Sequence, residues 1–195
     1  MQSSPKEYYM NVKNNQRFQE TDEKIQNCFL NLLNQKPISR ITIREICDQV
    51  GINRSSFYAH YEDIYALLNG ISKEIGRQLI IQLGEIEYDP SFPISKVHLR
   101  ITLEHIKEHS TFYKGWLGDI GAEKSETLFR SLLENTFKPW LYQHGVTSAH
   151  RIEYHFAFFK AGFMAVVNQW LQYDCEESPE EMAAIILNSI REPEI

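Results

Sequence analysis

The segment from Thr42 to Tyr61 constrains the fold more than any other part of this chain. Its first half carries apolar residues at positions i, i+3, i+4 and i+7, the spacing of one face of an α-helix. These residues are Ile43, Ile46, Cys47 and Val50. Thr42 and Glu45 open this helix at the spacing of a capping box. Gly51 predicts its end, because a chain that reverses direction there needs a positive φ angle, which glycine adopts at low cost.

A second short helix is predicted directly after Gly51. Asn53 is a residue type that caps helix N-termini, and Ile52 and Phe57 are expected to face the core. The remaining side chains of this helix mostly donate or accept hydrogen bonds and are expected to point outward. They are Arg54, Ser55, Ser56, Tyr58 and His60. Such a face is typical of a helix that enters the major groove of DNA, so the segment predicts a helix-turn-helix.

The run from Gly51 to Leu68 resembles the TetR family of bacterial transcription regulators. The family pattern is a glycine, an apolar residue, a cap, several polar residues, an aromatic residue, Tyr, any residue, His, a second aromatic residue and soon a Leu-Leu pair. In this chain the matching residues are Gly51, Ile52, Asn53, Phe57, Tyr58, His60, Tyr61, Leu67 and Leu68. The resemblance covers roughly Thr21 to Leu68. Ile64 departs from it, since the family usually has a phosphate-binding Lys there, and this predicts weaker or differently anchored DNA binding.

The resemblance implies an all-α protein of about nine helices in three parts. A flexible N-terminal arm, a three-helix DNA-binding domain and a helical effector-binding and dimerisation domain are expected at residues 1–20, 21–68 and 69–195. It further implies a homodimeric repressor that binds a palindromic operator in double-stranded DNA and responds to a small-molecule effector, without a cofactor. The side chains expected at the DNA are Thr42, Arg44, Asn53, Arg54, Ser55, Ser56, Tyr58, His60 and Tyr61.

The distribution of charge leaves a second hypothesis open. Residues 1–70 hold eight Lys and Arg and eight Asp and Glu, whereas residues 71–195 hold twelve and eighteen and so carry the whole net charge of −6. The DNA-binding domain is therefore neutral, and its phosphate contacts have to come from a few placed groups and helix N-termini. Arg44 is either such a contact or a solvated side chain. Neutrality together with Ile64 also fits a TetR-like co-regulator that acts through a protein partner and binds DNA weakly or without specificity.

Periodic apolar stripes predict the helices outside the central motif. They are expected at about Thr21–Lys36, over about 25 residues from Glu62, and at Ile94–His109, Thr111–Leu117, Glu123–Gln143, Ser148–Tyr173 and Ser178–Ile190, with a loop at Asp89–Pro93. The stripe of the second of these helices crosses the expected domain boundary without a breaker. By the resemblance, this helix carries the effect of ligand binding to the DNA-binding domain.

Aromatic residues crowd the middle of the chain. Any one of them is explained as core, whereas together they fit an apolar pocket for a small amphipathic or aromatic molecule. The residues expected at this pocket are His105, Tyr113, Trp116, Phe137, Trp140, Phe159 and Phe163. His98, His105 and His109 share one helical face, and the last two with Glu108 also fit a metal site. Satisfied or exposed histidines explain the pattern as well, since no cysteine or second carboxylate pair accompanies them.

The two C-terminal helices are the expected dimer interface. The helix at Ser148–Tyr173 is apolar in nearly every direction, and such a helix has to be covered on all sides. Ser178, Pro179 and Glu181 then supply a cap, an N1 proline and a capping glutamate for the last helix. Both helices are expected to pair with their copies in a four-helix bundle. The interface residues expected are Phe158, Ala165, Met182 and Ile186.

Other classes of protein are disfavoured by what the sequence lacks. Glycine-rich phosphate loops, nucleophile elbows and paired catalytic carboxylates are absent, so we expect no enzyme. The first 20 residues lack the apolar run of a signal peptide and no stretch reaches the ~18 apolar residues of a membrane span, so a cytoplasmic protein is expected. Cys28, Cys47 and Cys175 lack metal or redox spacing. The first two are expected in the core and Cys175 in an exposed loop.

Overall fold

The computed structural model describes residues 5–84, 95–119, 129–130 and 133–190. Side chains are described for residues 16–84, 95–117, 129–130, 133–134 and 137–189. Within this part of the chain the protein is all-α, with nine α-helices, one 3-10 helix, one π-helical turn and no strand, which confirms the predicted fold class. The chain divides into two compact units, residues 1–74 and 75–195. None of the described helices has the length and hydropathy that crossing a bilayer requires.

The first unit is a small helical cluster. Its elements are α1 (Pro5–Leu33), a 3-10 helix (Ile38–Arg40), α2 (Ile43–Val50), α3 (Arg54–Tyr58) and the first half of α4 (Ile64–Gly84). α1 packs against α2, and α2 packs against α3. One apolar residue or pair from each α-helix meets in a core that water does not reach. These fully buried residues are Ile25, Phe29, Ile46, Phe57, Leu67 and Leu68.

The first helix begins earlier than the sequence pattern predicts. α1 starts at Pro5, whereas a start near Thr21 was expected. The Thr21 hydroxyl donates a hydrogen bond to the carbonyl of Arg17 at 2.8 Å, the bond that a mid-helix threonine makes one turn back. Thr21 therefore lies inside the helix and not at its start. Residues 5–20, which the prediction placed in a flexible arm, form the first part of α1.

The second unit contains the second half of α4 and five further α-helices. They are α5 (Lys96–Glu108), α6 (Ser110–Asp119), α7 (Lys138–Gln143), α8 (Ala149–Gln172) and α9 (Pro179–Ile190), with a π-helical turn at Leu133–Phe137 before α7. The predicted loop Asp89–Pro93 and most of the first half of the predicted helix Glu123–Gln143 lie outside the described residues.

Two apolar clusters stabilise the second unit. In the larger one, α9 packs along α5 and the end of α8. Its buried residues include Leu99, Leu103, Ile106, Trp170, Leu171, Met182, Ala183, Ile186 and Leu187. The smaller one is purely aromatic and consists of Phe129, Phe137, Phe156 and Phe159. Phe163 of α8 packs against both clusters.

The turn between α8 and α9 is fixed by hydrogen bonds. Ser178 and Glu181 form the predicted capping box, since Ser178 N donates to Glu181 Oε2 at 2.8 Å and Glu181 N donates to Ser178 Oγ at 3.2 Å. Lys107 Nζ donates to the carbonyl of Cys175 at 2.7 Å. Cys175 itself is buried, so the expectation of an exposed thiol was wrong. Burial raises the pKa of this thiol, which disfavours the reactive thiolate.

Candidate nucleic-acid interface

Both helices of the helix-turn-helix are capped by the residues that the sequence predicts. The Thr42 hydroxyl accepts a hydrogen bond from Glu45 N at 3.2 Å and caps α2. Gly51 ends α2 in the left-handed region, with φ of 77°. Asn53 Oδ1 then accepts a hydrogen bond from Ser56 N at 2.7 Å and caps α3. These bonds satisfy backbone groups that the short helices cannot pair internally, and so they fix the angle between α2 and α3.

The outward face of α3 is polar and accessible. Phe57 is fully buried and anchors the helix, while 56% of Tyr58 is exposed. Arg54 and Ser55 are exposed as well, and we call Arg54, Ser55 and Tyr58 the recognition face. Ser56 is half-buried, and its hydroxyl lies 3.0 Å from the Asn53 side-chain oxygen. The recognition face therefore offers a guanidinium, a hydroxyl and a phenol to a partner.

His60 does not belong to this face, so the prediction that it points outward was wrong. α3 ends at Tyr58, and His60 lies in the turn that follows. Only 4% of its side chain is exposed, and its Nδ1 lies 3.3 Å from Asp22 Oδ1 on α1. The imidazole stacks on the Phe18 ring at a centroid distance of 3.8 Å. His60 therefore connects the end of the recognition helix to α1.

Tyr61 has a similar internal role. Its hydroxyl accepts a hydrogen bond from Gln26 Nε2 of α1 at 3.0 Å. Burial raises the pKa of Tyr61, and a hydrogen bond with Asp22 raises it further. The phenol is thus held protonated between two side chains of α1. Asp22 and Gln26 were not among the predicted site residues, since no local sequence pattern connects α1 to residues more than 30 positions away.

Polar and cationic side chains lie exposed at the start of α2 and just before it, and α2 packs against α3. Thr42 and Arg44 are both exposed, and 76% of the Arg44 side chain is accessible beside Asp48, whose Oδ2 lies 3.5 Å from Arg44 Nε. Arg40 is also exposed, although it was not among the residues predicted to contact DNA. Lys36 forms an ion pair with Glu45, and its ammonium nitrogen lies 2.5 and 2.7 Å from the two carboxylate oxygens.

The position where the family has its lysine is part of the core. Ile64 is only 8% exposed and begins α4. Asp63 precedes it and caps the helix, because its Oδ1 accepts a hydrogen bond from Ala66 N at 2.7 Å. Ile64 therefore contributes to stability and offers no contact to a phosphate group.

Replacing Asp48 by asparagine is expected to strengthen binding to any duplex about two- to five-fold. The substitution removes a negative charge beside Arg44, and the upper part of the range for exposed pairs, roughly 0.5–1 kcal/mol, corresponds to about two- to five-fold. Fluorescence anisotropy with an unrelated duplex measures the change, which should shrink as salt is raised because exposed charges are screened. Asp174→Asn, at an exposed ion pair of the second unit, is the matched control. Equal affinities for Asp48→Asn and wild type would place Arg44 away from the phosphates.

Six of the seven residues predicted for an effector pocket fall into two groups in the second unit. His105 lies on α5, and Tyr113 and Trp116 lie on α6. The Tyr113 ring makes an edge-to-face contact with each of the other two rings. Phe137, Phe159 and Phe163 lie in or against the smaller aromatic cluster. Trp140 lies against His144, with ring centroids 4.2 Å apart. The alternative metal site has no support in the described residues, where no three His, Cys, Asp or Glu side chains gather.

Two of the four predicted dimer residues are on the surface and two are not. Phe158 is 76% exposed, and Ala165 on the same helix is exposed as well. Met182 and Ile186 are buried in the larger cluster against α5 of their own chain, so their assignment to a dimer interface was wrong. The sequence pattern marked α9 as apolar but could not specify that α5 covers that face.

Two family models match this chain, one within each of its two compact units. A family model described as bacterial regulatory proteins, tetR family, matches residues 30–71, and one described as transcriptional regulator C-terminal region matches residues 97–192. Together they cover more than two thirds of the chain. The uncharacterized HTH-type transcriptional regulator YxbF of Bacillus subtilis (strain 168) is 24% identical over 99 residues, 47% of this chain and 25% of that protein. The chain thus matches about a quarter of the length of this curated relative.

Solved structures share the architecture at low sequence identity. A TetR transcriptional regulator from Streptococcus agalactiae 2603V is 21% identical, with a TM-score of 0.66, and the match covers 93% of this chain and 99% of that one. The dihydroxyacetone kinase operon activator DhaS is 18% identical, with a TM-score of 0.51, over 87% of this chain and 93% of that one. At these identities the likeness concerns the fold.

Proposed function

Because the chain belongs to the TetR family of transcriptional regulators, we propose that it is a ligand-responsive repressor that binds a palindromic operator as a homodimer. The observation that carries the proposal is the recognition face of α3. Phe57 fixes one side of this short helix in the core, and the other side presents Arg54, Ser55 and Tyr58. In a helix-turn-helix, the second helix enters the major groove and its first residues contact base edges.

The chemistry of the recognition face suits direct readout. An arginine binds guanine O6 and N7 with two hydrogen bonds, and a serine hydroxyl accepts from or donates to any base edge. Tyr58 combines a ring for contact with a thymine methyl group and a hydroxyl for a base or phosphate. Arg40, Thr42 and Arg44 fit the adjacent phosphate backbone, which positions the protein without reading sequence. Base contacts by one such short helix are few, so a second copy is needed for specificity.

The exposed stripe of α8 supports a homodimer. Tyr154, Phe158, Ala161 and Ala165 are all exposed, and their spacing of four, three and four residues places them on one face of the helix. Phe158 and Tyr154 are large apolar groups in water, and two small residues beside them let a second helix approach closely. A two-fold dimer buries the same stripe from both copies. Its two recognition helices then bind half-sites about 34 Å apart, one helical turn of DNA.

The continuity of α4 supports ligand response. It runs without interruption from Ile64 to Gly84, with Glu74 as the last residue of the first unit and Ile75 as the first of the second. Binding of an effector in the second unit is proposed to change the spacing of the recognition helices and to weaken operator binding.

Selection of bound duplexes from a random pool tests the proposal. The full chain is incubated with the pool at about 0.1 M salt, and bound DNA is amplified and sequenced over several rounds. We expect an inverted repeat to emerge, and we expect the Arg54→Ala, Tyr58→Ala double variant to enrich none. A reporter carrying the repeat then gives the direction of regulation. A dimeric, folded protein that enriches no sequence would contradict the proposal.

A co-regulator that acts through a protein partner is the second candidate. The buried Ile64 favours it, because a family phosphate contact is missing, and so does the balance of charges in residues 1–70. This candidate predicts weak binding to all duplexes without a preferred sequence. The same selection therefore separates the two hypotheses, and a shallow dependence of affinity on salt would add support for the co-regulator.

A further inference from the structure

Two buried polar side chains of the second unit complete no hydrogen bond of normal geometry among the described residues. His105 on α5 is 1% exposed, and neither of its ring nitrogens completes a hydrogen bond of normal geometry. The indole Nε1 of Trp116 on α6 is also buried without a partner. Burying a polar atom in this way is unfavourable, and native proteins do so rarely. Two such groups in one part of the fold suggest that something outside the chain satisfies them.

The two side chains belong to one continuous set of rings. The His105 and Tyr113 centroids are 6.2 Å apart, and those of Tyr113 and Trp116 are 6.1 Å apart, both in edge-to-face arrangement. Phe112 stacks on Trp116 at 5.8 Å, and His109 lies 4.6 Å from His105. We call these five residues the α5–α6 aromatic cluster. A planar apolar molecule is the natural neighbour of such rings, which prefer offset-stacked or edge-to-face contacts.

The hydrogen-bonding groups of this cluster favour an uncharged ligand. Burial lowers the pKa of His105, and the neighbouring His109 lowers it further, while Glu108 and the backbone carbonyl of Ile75 oppose the shift. The imidazole is therefore neutral at pH 7, with one donor and one acceptor nitrogen, and the Trp116 indole can only donate. An ion would have to lose its hydration beside these uncharged groups, which is costly.

We infer that the α5–α6 aromatic cluster binds a small, uncharged, planar molecule that both donates and accepts hydrogen bonds, with phenol as the simplest member of the class. Its oxygen accepts from Trp116 Nε1, its hydroxyl donates to His105, and its ring packs against Tyr113 and Phe112. The inference rests on the proposed function, because it names the chemical class of the effector.

Titration of the 15N-labelled full-length protein with phenol tests this directly. The indole N–H signal of Trp116, assigned by its loss in Trp116→Phe, is expected to shift and saturate. The signal of Trp170 is an internal control, because its Nε1 already donates to the carbonyl of Glu177 at 3.1 Å and should not move. Toluene, which has the shape without the hydroxyl, and benzoate, which is charged, are expected to bind about tenfold more weakly. An unmoved Trp116 signal at millimolar phenol overturns the inference.

Two variants distinguish a binding role from a structural one. His105→Leu and Trp116→Phe are each expected to weaken phenol binding about tenfold without lowering the melting temperature, since the nitrogens they remove complete no hydrogen bond of normal geometry among the described residues. His98→Leu is the matched control on the same helix, because His98 Nδ1 lies 2.6 Å from Ser95 Oγ. It should keep wild-type phenol affinity. Wild-type affinity in both test variants, or a loss of several degrees in both, overturns the inference.

Operator binding separates this inference from the proposed function. If the wild type binds its selected repeat but phenol does not shift the Trp116 indole N–H signal, operator binding is supported and the inferred effector class is wrong. If phenol binds as expected but no repeat is ever selected, the site stands and the proposed function is wrong.

Discussion

Replacement of Tyr58 by alanine is expected to weaken operator binding by about 5- to 150-fold. This range corresponds to the roughly 1–3 kcal/mol that a side chain in contact with a base edge contributes. Tyr58 is 56% exposed on a helix whose opposite side is anchored by the fully buried Phe57. Its removal leaves the core untouched, so the melting temperature should stay unchanged. The selected repeat, titrated with the variant in an anisotropy assay, gives the loss.

A comparison with an unrelated duplex shows what kind of contact is lost. If Tyr58 contacts a base, affinity for the repeat should fall while affinity for unrelated DNA stays nearly constant. If it contacts a phosphate, both should fall together. Tyr142→Ala in the second unit removes another exposed tyrosine and should leave both affinities unchanged. Wild-type affinity of the Tyr58 variant for the repeat would remove this residue from the interface.

The motif around Gly51 could be predicted because each of its determinants is local. Thr42, Gly51 and Asn53 act on backbone groups within four residues, and all three adopt the expected caps. The burial of Phe57 could be predicted from helical spacing alone. Phe57 and the polar residues around it point to different sides of the same helical turn, so the apolar side chain faces the core. Local geometry of this kind depends on residue type and spacing, which a sequence displays fully.

His60 could not be placed in the same way. A histidine near the end of a polar helix matches a recognition helix in composition, but α3 ends at Tyr58 and the chain turns His60 toward Asp22 of α1. The assignment of Met182 and Ile186 to a dimer interface was wrong for a related reason. Their apolar face was recognised, while the partner that covers it, α5, lies about 80 residues earlier in the chain. Pairings over such separations depend on tertiary packing, which periodicity does not encode.

Substitution of Phe158 by aspartate is expected to convert the dimer to a monomer and to abolish operator binding at concentrations where the wild type binds. Phe158 is 76% exposed on the stripe of α8 that the proposed dimer buries. In that interface the substitution places a carboxylate against its own copy, and an unpaired buried charge costs several kcal/mol. A loss of this size raises the dimer dissociation constant by at least about 100-fold. Sedimentation equilibrium measures that constant, and the anisotropy assay measures operator affinity.

The second consequence of Phe158→Asp follows from the symmetry of the operator. A monomer contributes one recognition helix, so its affinity for a full inverted repeat should fall to that for a single half-site, with the helical signal in circular dichroism retained. Val97→Asp is the matched control, since Val97 is an exposed apolar residue on α5 and lies off the stripe. That variant should remain dimeric and bind the repeat as the wild type does. A Phe158→Asp protein that sediments as a dimer and keeps its operator affinity would place the interface on another face of the second unit.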